Sequence, residues 1–383
     1  MKIVSIGPAP PWRGGIAQYH FALVDALRSS GAGVEVVTFR RLYPALLFPG
    51  TDPRDRSAGA LPPLGEEVLR PLAPGSWGRA ARLIAGHHPD LILFHWWHPF
   101  FAPTYLGVLR ALKRRGALPR IGMICHNIRS HEGMVGGSWL VRKMLKKAHF
   151  AITGGAGMAE EARALNPKIE TAVVHHPAYL LPGMPDPPSK EEARRSLGLP
   201  ETGAVFLFFG LVRDYKGLDV LIEALGRLGS DRAWTCVVAG EFYQSRTPCD
   251  RRLSELGVGD RVRIEDRFIP PEEAPAYFAA ADATVLPYRQ ATQSGVAALS
   301  FAMRRPVLTT AVGALPETIR EGVNGWLVPP EDPGALGERL AWLVEDPGRA
   351  RLPVCEGESG IPSWEDLAQT VLDLADRSAE PSS

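Results

Sequence analysis

Val205-Phe206-Leu207-Phe208-Phe209 is followed by Gly210-Leu211-Val212-Arg213-Asp214-Tyr215-Lys216-Gly217, and then by Leu218, Leu221, Ile222 and Leu225 at helical spacing. Five consecutive apolar residues have the character of a strand buried on both faces. The glycine after them ends the run, and the apolar period then becomes that of a helix. Strand, glycine-bearing loop and helix in that order are the repeating unit of an α/β layered fold. The loop holds two cations, Arg213 and Lys216. It lies at the C-terminal end of its strand, the edge where open parallel sheets bind ligands.

The same unit recurs in both directions. Downstream, Trp234 to Ala239, Val262 to Glu265, Ala283 to Leu286 and Val307 to Thr309 read as strands with helices between them. Upstream, Ile3 to Ile6, Val34 to Thr38, Leu91 to Phe94 and Ile121 to Cys125 do the same. Ile16 to Ser29 carries Ile16, Leu23 and Leu27 on one helical face. Residues 40–78 are rich in Pro, Gly and Arg and read as a surface excursion with short helical pieces. The strongest break is Leu181-Pro182-Gly183-Met184-Pro185-Asp186-Pro187-Pro188, a stiff connector. The expected architecture is α/β: two facing Rossmann-like domains with a central cleft. They span 1–180 and 204–362 with a linker at 181–203, and a last helix at 363–378 is expected to pack back toward the N-terminal domain. Ala379 to Ser383 is a small polar tail.

Bulk properties narrow the function classes. A chain of 383 residues with 45% apolar content has room for two full cores. Lys and Arg number 43 against 42 acidic residues, a balance that argues against a nucleic-acid binder. Cys125, Cys236, Cys249 and Cys355 are scattered without metal-like spacing, and reduced thiols in a cytoplasm are the plain reading. The opening Met1-Lys2-Ile3-Val4-Ser5-Ile6 is too short for the apolar core of a signal peptide and reads as a first strand. No segment approaches the roughly 20 apolar residues of a membrane-spanning helix.

Several residues carry chemistry at strand ends. Gly14 and Gly15 precede the Ile16 helix, where backbone can approach an anion closely; a tight turn with no ligand is the plainer reading of the pair alone. Arg213 and Lys216 are placed to offset the charge of a diphosphate, against the plainer reading of a solvated basic loop. Gln293, Ser294, Gly295 and Val296 open a helix running to about Met303, whose free N–H groups and dipole suit a phosphate; Ser294 also reads as its cap. Glu317, after Gly313-Ala314-Leu315-Pro316, is a carboxylate for a ribose or sugar hydroxyl pair or a first-turn acid of a helix. Glu241, after Gly240, is the same type of position.

His126 ends the Ile121 strand, where it would meet a sugar hydroxyl or a reacting centre; a capped structural histidine is the rival reading. His95 and His98 flank Trp96-Trp97 and read equally as part of an acceptor wall or as buried packing, and packing is preferred for both tryptophans. The pair His175-His176 lacks further metal ligands, and no Asp-x-Asp pair exists to hold a divalent cation. No metal and no cofactor is expected. The dinucleotide fingerprint is absent, against a nicotinamide-dependent oxidoreductase. Trp139 to Lys147 mixes apolar residues with Arg142, Lys143, Lys146 and Lys147. A core-facing helix with a solvated basic face is preferred, and a peripheral contact with an anionic membrane surface stays open.

Taken with Gly325-Trp326-Leu327-Val328-Pro329-Pro330, these motifs make the chain similar to the GT-B-fold retaining glycosyltransferases of family four, the group one type. This family includes bacterial mannosyl- and glucosyltransferases of lipid and polysaccharide assembly. The resemblance covers nearly the whole chain and is strongest in the second half. It implies transfer of a hexose with retention from a UDP- or GDP-linked sugar, held by the C-terminal domain, to a hydroxyl of a sugar, lipid-linked or small-molecule acceptor on the N-terminal one. It implies a place in polysaccharide, glycolipid or glycoconjugate synthesis in the cytoplasm, with Arg213 and Lys216 as donor-phosphate cations and His126 as the active-site histidine. The family usually has two glutamates eight residues apart around the phosphate-binding helix; here Ala291 and Leu299 stand there, and Leu211 stands where an arginine is common. A non-catalytic nucleotide-sugar-binding protein and a nucleotide-sugar epimerase on the same fold are the alternatives.

Overall fold

The computed structural model describes residues 1–42, 54–57, 60–128, 136–178, 180, 184–229, 232–354 and 361–377. These fall into two compact units. The first is made of the described parts of Met1–Arg56, Leu61–Pro177 and Pro362–Ser383, and the second of those of Ser57–Ala60 and Ala178–Ile361.

The first unit runs β1 (Lys2–Ile6), α1 (Gly15–Ser29), β2 (Gly33–Phe39), β3 (Glu66–Leu69), α2 (Pro74–His87), β4 (Leu91–Trp96), α3 (Ala102–Lys113), β5 (Arg120–Cys125), α4 (Gly137–Leu145), β6 (Phe150–Thr153), α5 (Ala156–Leu165) and β7 (Glu170–Val173). Its seven-stranded parallel sheet has the order β3-β2-β1-β4-β5-β6-β7. The central strands are apolar on both faces: Ile3, Val4, Ile6, Leu91, Ile92, Leu93 and Phe94 are all buried. Apolar side chains on both surfaces require helices above and below, which the crossover connections supply.

The stretch 40–78 is not only a surface excursion. Glu66–Leu69 pairs with β2 as an edge strand, and α2 begins at Pro74; residues 43–53 and 58–59 lie outside the described residues. The edge strands β3 and β7 bury few side chains, which is why their apolar signal is thin.

The second unit runs α6 (Lys190–Ser196), β8 (Ala204–Phe209), α7 (Leu218–Leu225), β9 (Trp234–Ala239), α8 (Thr247–Glu255), β10 (Val262–Glu265), α9 (Ala274–Ala280), β11 (Ala283–Leu286), α10 (Gly295–Ala302), β12 (Val307–Thr310), α11 (Leu315–Thr318), β13 (Gly325–Val328) and α12 (Pro333–Glu345). Its six-stranded parallel sheet has the order β10-β9-β8-β11-β12-β13. Part of the stretch 181–203, expected as linker, is thus a helix of this unit. Ser189 and Glu192 close a capping box at the start of α6, and Arg194, buried on α6, reaches the carbonyls of Ala280, Glu201 and Gly203.

The last helix, α13 (Trp364–Arg377), belongs to the first unit, where it packs on α1 and β5. Leu367, Ala368, Val371, Leu374 and Ala375 form its buried stripe. Arg120 donates to the carbonyls of Leu374 and Ala375, satisfying orphan acceptors of the last turn.

Both sheets reverse direction at one place. In the first, β1 lies between β2 and β4; in the second, β8 lies between β9 and β11. At such a switch point adjacent loops diverge to opposite faces and leave a crevice at the C-terminal strand ends.

Candidate functional site

In the second unit the switch point is walled by the loops after β8 and β11. Gly210 leaves β8 with its N–H donated to Ala239, and the loop then bends so that Val212 bridges Phe242 and donates to the Glu241 carbonyl. Arg213 lies with its guanidinium carbon 4.7 Å from the Tyr243 ring centre. A single helical turn, Asp214–Lys216, follows and closes on Gly217. Gly217 has φ +68°, and a Cβ there would lie 2.0 Å from the Pro287 carbonyl oxygen, so the turn sits directly on the end of β11.

This geometry folds Lys216 inward. Its side chain is 7% exposed, with Nζ 5.7 Å from the centre of the Tyr288 ring. A Cβ built on Gly210 would be 3.2 Å from Lys216 Nζ and 3.5 Å from Val296 Cγ2, so ammonium, strand end and first turn of α10 converge on one glycine. Ser294 caps that helix by accepting from Ala297 N–H at 3.1 Å, and it is hydrogen-bonded to the buried Tyr288 hydroxyl. Among the described residues no carboxylate is paired with Lys216. Burial, and secondarily the charge of Arg213, lower its pKa from 10.5 to about 8. A buried ammonium beside a second cation and a helix N-terminus has the chemistry to hold an anion.

Tyr288 and Arg289 complete the support and were not singled out from the sequence. Arg289 N–H donates to the Tyr215 carbonyl at 2.8 Å and its guanidinium to the Asp214 carbonyl at 2.8 Å, with Asp219 and Glu331 as ion partners. The Lys216 turn is therefore clamped to the loop after β11. The available signal was position: both residues follow β11 at the ligand-binding edge of the sheet.

The remaining expected residues of this unit lie on neighbouring loops. Gln293 and Gly295 flank Ser294, and Glu241 is half-buried after β9. Glu317 is exposed on α11, on a loop tied to the same region because Ala314 N–H donates to the Thr292 carbonyl at 3.2 Å. Gly313, with φ +55°, would put a Cβ 1.7 Å from the Ala291 carbonyl oxygen, so only glycine fits that crossing. Leu299 is 7% exposed inside an apolar cluster with Phe278 and Met303, and Ala291 packs partly buried against a second apolar cluster.

Gly14, Gly15 and His126 belong to the first unit. Gly14, at φ 111°, is the N-cap of α1, and His126 follows β5 with its N–H donated to the Trp96 carbonyl. His126 Nε2 lies 3.2 Å from His95 Nδ1 on the adjacent strand. Burial, and then the charges of His176 and His20, push its pKa down to about 3. His20 is held down to about 4 by burial, and His95 is held well below the ordinary histidine value by burial and by His20 and His126. All three are neutral near pH 7. Trp96 and Trp97 are packing residues of the core, as expected. His98 accepts from Phe100 N–H and caps a short turn. Among the described residues no group of three potential ligands could hold a metal ion, and no helix is long and apolar enough to cross a membrane. On α4, Val141, Met144 and Leu145 face inward and the basic residues outward, but Trp139 is 58% exposed, with Lys143 Nζ 3.6 Å above its ring centre. The tryptophan is thus not part of the core face.

Residues 203–346 match the family model "Glycosyl transferases group 1", and residues 14–178 match "Glycosyl transferase 4-like domain". D-inositol 3-phosphate glycosyltransferase 1 of Catenulispora acidiphila is 36% identical over 172 residues, covering 43% of this chain and 41% of that protein; the match spans less than half of the relative's length. D-inositol 3-phosphate glycosyltransferase of Acidothermus cellulolyticus is 28% identical over 372 residues, covering 88% of this chain and 80% of that one. The structure of Anabaena HepE in complex with UDP-glucose superposes with a TM-score of 0.69 at 17% identity, covering 99% of this chain and 98% of that chain. The two family models occupy the two Rossmann-like units in turn, and the chain belongs to the group 1 and 4-like glycosyl transferases and has their GT-B fold.

Proposed function

We propose that the protein is a retaining hexosyltransferase that takes its sugar from a nucleotide diphosphate donor. The observation that carries this reading is the buried Lys216 ammonium, which has a cationic neighbour in Arg213, a helix N-terminus beside it and, among the described residues, no carboxylate partner. A folded protein keeps such a group where an anion completes it. Arg213, Lys216 and the first N–H groups of α10, around Gln293, Ser294, Gly295 and Val296, hold the two phosphates. They stabilise the charge that develops as the bond from the sugar's anomeric carbon to the phosphate oxygen breaks. The acceptor hydroxyl oxygen forms the new bond on the face from which the phosphate departs, and its proton passes to the departing phosphate oxygen. His126 donates a hydrogen bond to a substrate hydroxyl, Glu241 and Glu317 accept from donor hydroxyls, and the Gly14-Gly15 turn gives close backbone approach.

A thermal-shift panel of nucleoside diphosphates and their sugars tests the reading, with UDP-glucose first because HepE binds it. One base is expected to raise the melting temperature by mass action, and Lys216→Met to remove the shift. No shift with any uridine or guanosine compound would refute the proposal. Release of free nucleotide only when an acceptor is added separates transfer from the binding-only and epimerase readings.

The basic outward face of α4 with its exposed Trp139 supports peripheral contact with an anionic lipid surface, the setting for a lipid-linked acceptor. Co-sedimentation with phosphatidylglycerol vesicles is expected, and is expected to fall when Trp139, Lys143, Lys146 and Lys147 are replaced by serine. Equal sedimentation of the two proteins would remove this contact from the proposal.

A further inference from the structure

The first unit buries a row of three imidazoles at the C-terminal edge of its sheet, and the reading above uses only the last of them. His20 lies on α1, His95 on β4 and His126 after β5. The His20 and His95 ring centres are 3.9 Å apart, and the His95 and His126 rings stack at 5.4 Å with a 21° tilt. Tyr19 packs edge-on against His126 at 4.8 Å and against His176 at 5.1 Å. Gly7 makes room for this column: a Cβ there would lie 2.7 Å from the Cβ of His95.

Hydrogen bonding fixes where the protons sit. His20 Nδ1 is 2.9 Å from the Pro8 carbonyl oxygen, which can only accept, so Nδ1 carries the hydrogen. In the neutral ring Nε2 then accepts from the Ser5 hydroxyl at 2.7 Å. Among the described residues His95 has one side-chain hydrogen-bond partner, His126 Nε2 against its Nδ1, while its own Nε2 is buried without one. A buried N–H left without an acceptor is less tolerable than a buried lone pair left without a donor. The bare nitrogen of His95 is therefore the deprotonated one, and Nδ1–H donates to His126. That bond occupies the lone pair of His126 Nε2, and neutrality places the His126 proton on Nδ1.

We infer that His95 is a positioning residue that holds His126 in the Nδ1–H tautomer, so that His126 serves as a hydrogen-bond donor and has no lone pair with which to take a proton. His20, locked between Ser5 and Pro8, backs the column. The kinetic consequence rests on the transferase reading: with His126 unable to act as a base, the acceptor's proton does not pass to this histidine, consistent with its transfer to the departing phosphate oxygen. The tautomer itself does not depend on that reading.

The full-length protein labelled with 15N-histidine answers the question directly. Long-range proton–nitrogen correlation spectra distinguish the two tautomers, and His95→Asn and His126→Asn provide the assignments. His95 and His126 are both expected to show a protonated Nδ1 and a bare Nε2 from about pH 6 to 8. A protonated Nε2 on His126 overturns the inference, whatever the activity. A second measurement separates positioning from packing. His95→Asn keeps an N–H near the Nδ1 position, whereas His95→Leu removes it. Turnover is expected to fall about tenfold in the leucine variant, the worth of one buried hydrogen bond, with the donor KM little changed, and to recover in the asparagine variant. Equal loss in both variants, or loss in neither, rejects the positioning role. If no donor is turned over by the wild-type protein, the transferase reading fails while the spectra still decide the tautomer.

Discussion

Replacing Lys216 by methionine is expected to lower turnover by about 10²–10³-fold, the usual loss when one preorganised donor to a developing anion is removed, and at the same time to stabilise the unliganded protein. Both effects have one cause. Lys216 is charged at pH 7 although its site withholds solvation and sets Arg213 nearby, which is why its pKa falls from 10.5 to about 8. That depression corresponds to about 3 kcal/mol of native-state destabilisation. The full penalty is present below the folded pKa, where both the folded and the unfolded chain are protonated. As pH rises from about 8 toward 10.5 the folded lysine loses its proton first, the unfolded state binds more protons, and the penalty is relieved. The gain of the methionine variant in urea denaturation should therefore be largest near pH 7 and shrink above about pH 8. Donor affinity of the wild-type protein should weaken over the same interval, because the diphosphate needs the ammonium. A variant that loses activity and stability together would show that Lys216 is a structural residue.

The second large effect lies away from the site. Asp282, at the start of β11, accepts from Val205 N–H at 2.7 Å and pairs with Arg194 at 2.9 Å, both side chains being 4% exposed; Lys190 reaches the same carboxylate. Asp282→Ala leaves the buried Arg194 guanidinium without its counter-ion and an amide of β8 without its acceptor. Breaking a buried pair from one side costs about 3–5 kcal/mol, visible as a lower urea midpoint with an unchanged slope. The double replacement Arg194→Met with Asp282→Leu should recover only the part of the loss that comes from the unpaired charge, because the Val205 amide and the carbonyls of Ala280, Glu201 and Gly203 still lack their partners. A loss below about 1 kcal/mol in the single variant would show that solvent reaches the pair.

Much of the architecture is legible along the chain. Val205 to Phe209, Ile121 to Cys125 and Leu91 to Phe94 announce central strands because both of their faces are covered, so every side chain is apolar. Glu66–Leu69 and Glu170–Val173 are not announced, since an edge strand buries little and its pattern dissolves into polar sequence. Arg213, Lys216 and Ser294 stand out because glycine and cap residues mark where strands end, and strand ends are where such sheets bind ligands. Tyr288 and Arg289 do not stand out, because clamping a turn is a relation between two loops far apart in sequence.

Residue order alone establishes two α/β halves and the basic, glycine-bearing character of the loop after Phe209, because strand burial, helical period and turn chemistry are short-range properties. Three-dimensional packing decides the rest. It buries Lys216 with no carboxylate partner among the described residues, joins it to α10 over Gly210, places Leu299 in an apolar cluster, and stacks His20, His95 and His126 in one column. Each of these depends on which strands become neighbours at the switch points, and that choice is made by the hydrogen-bonded order of the sheets.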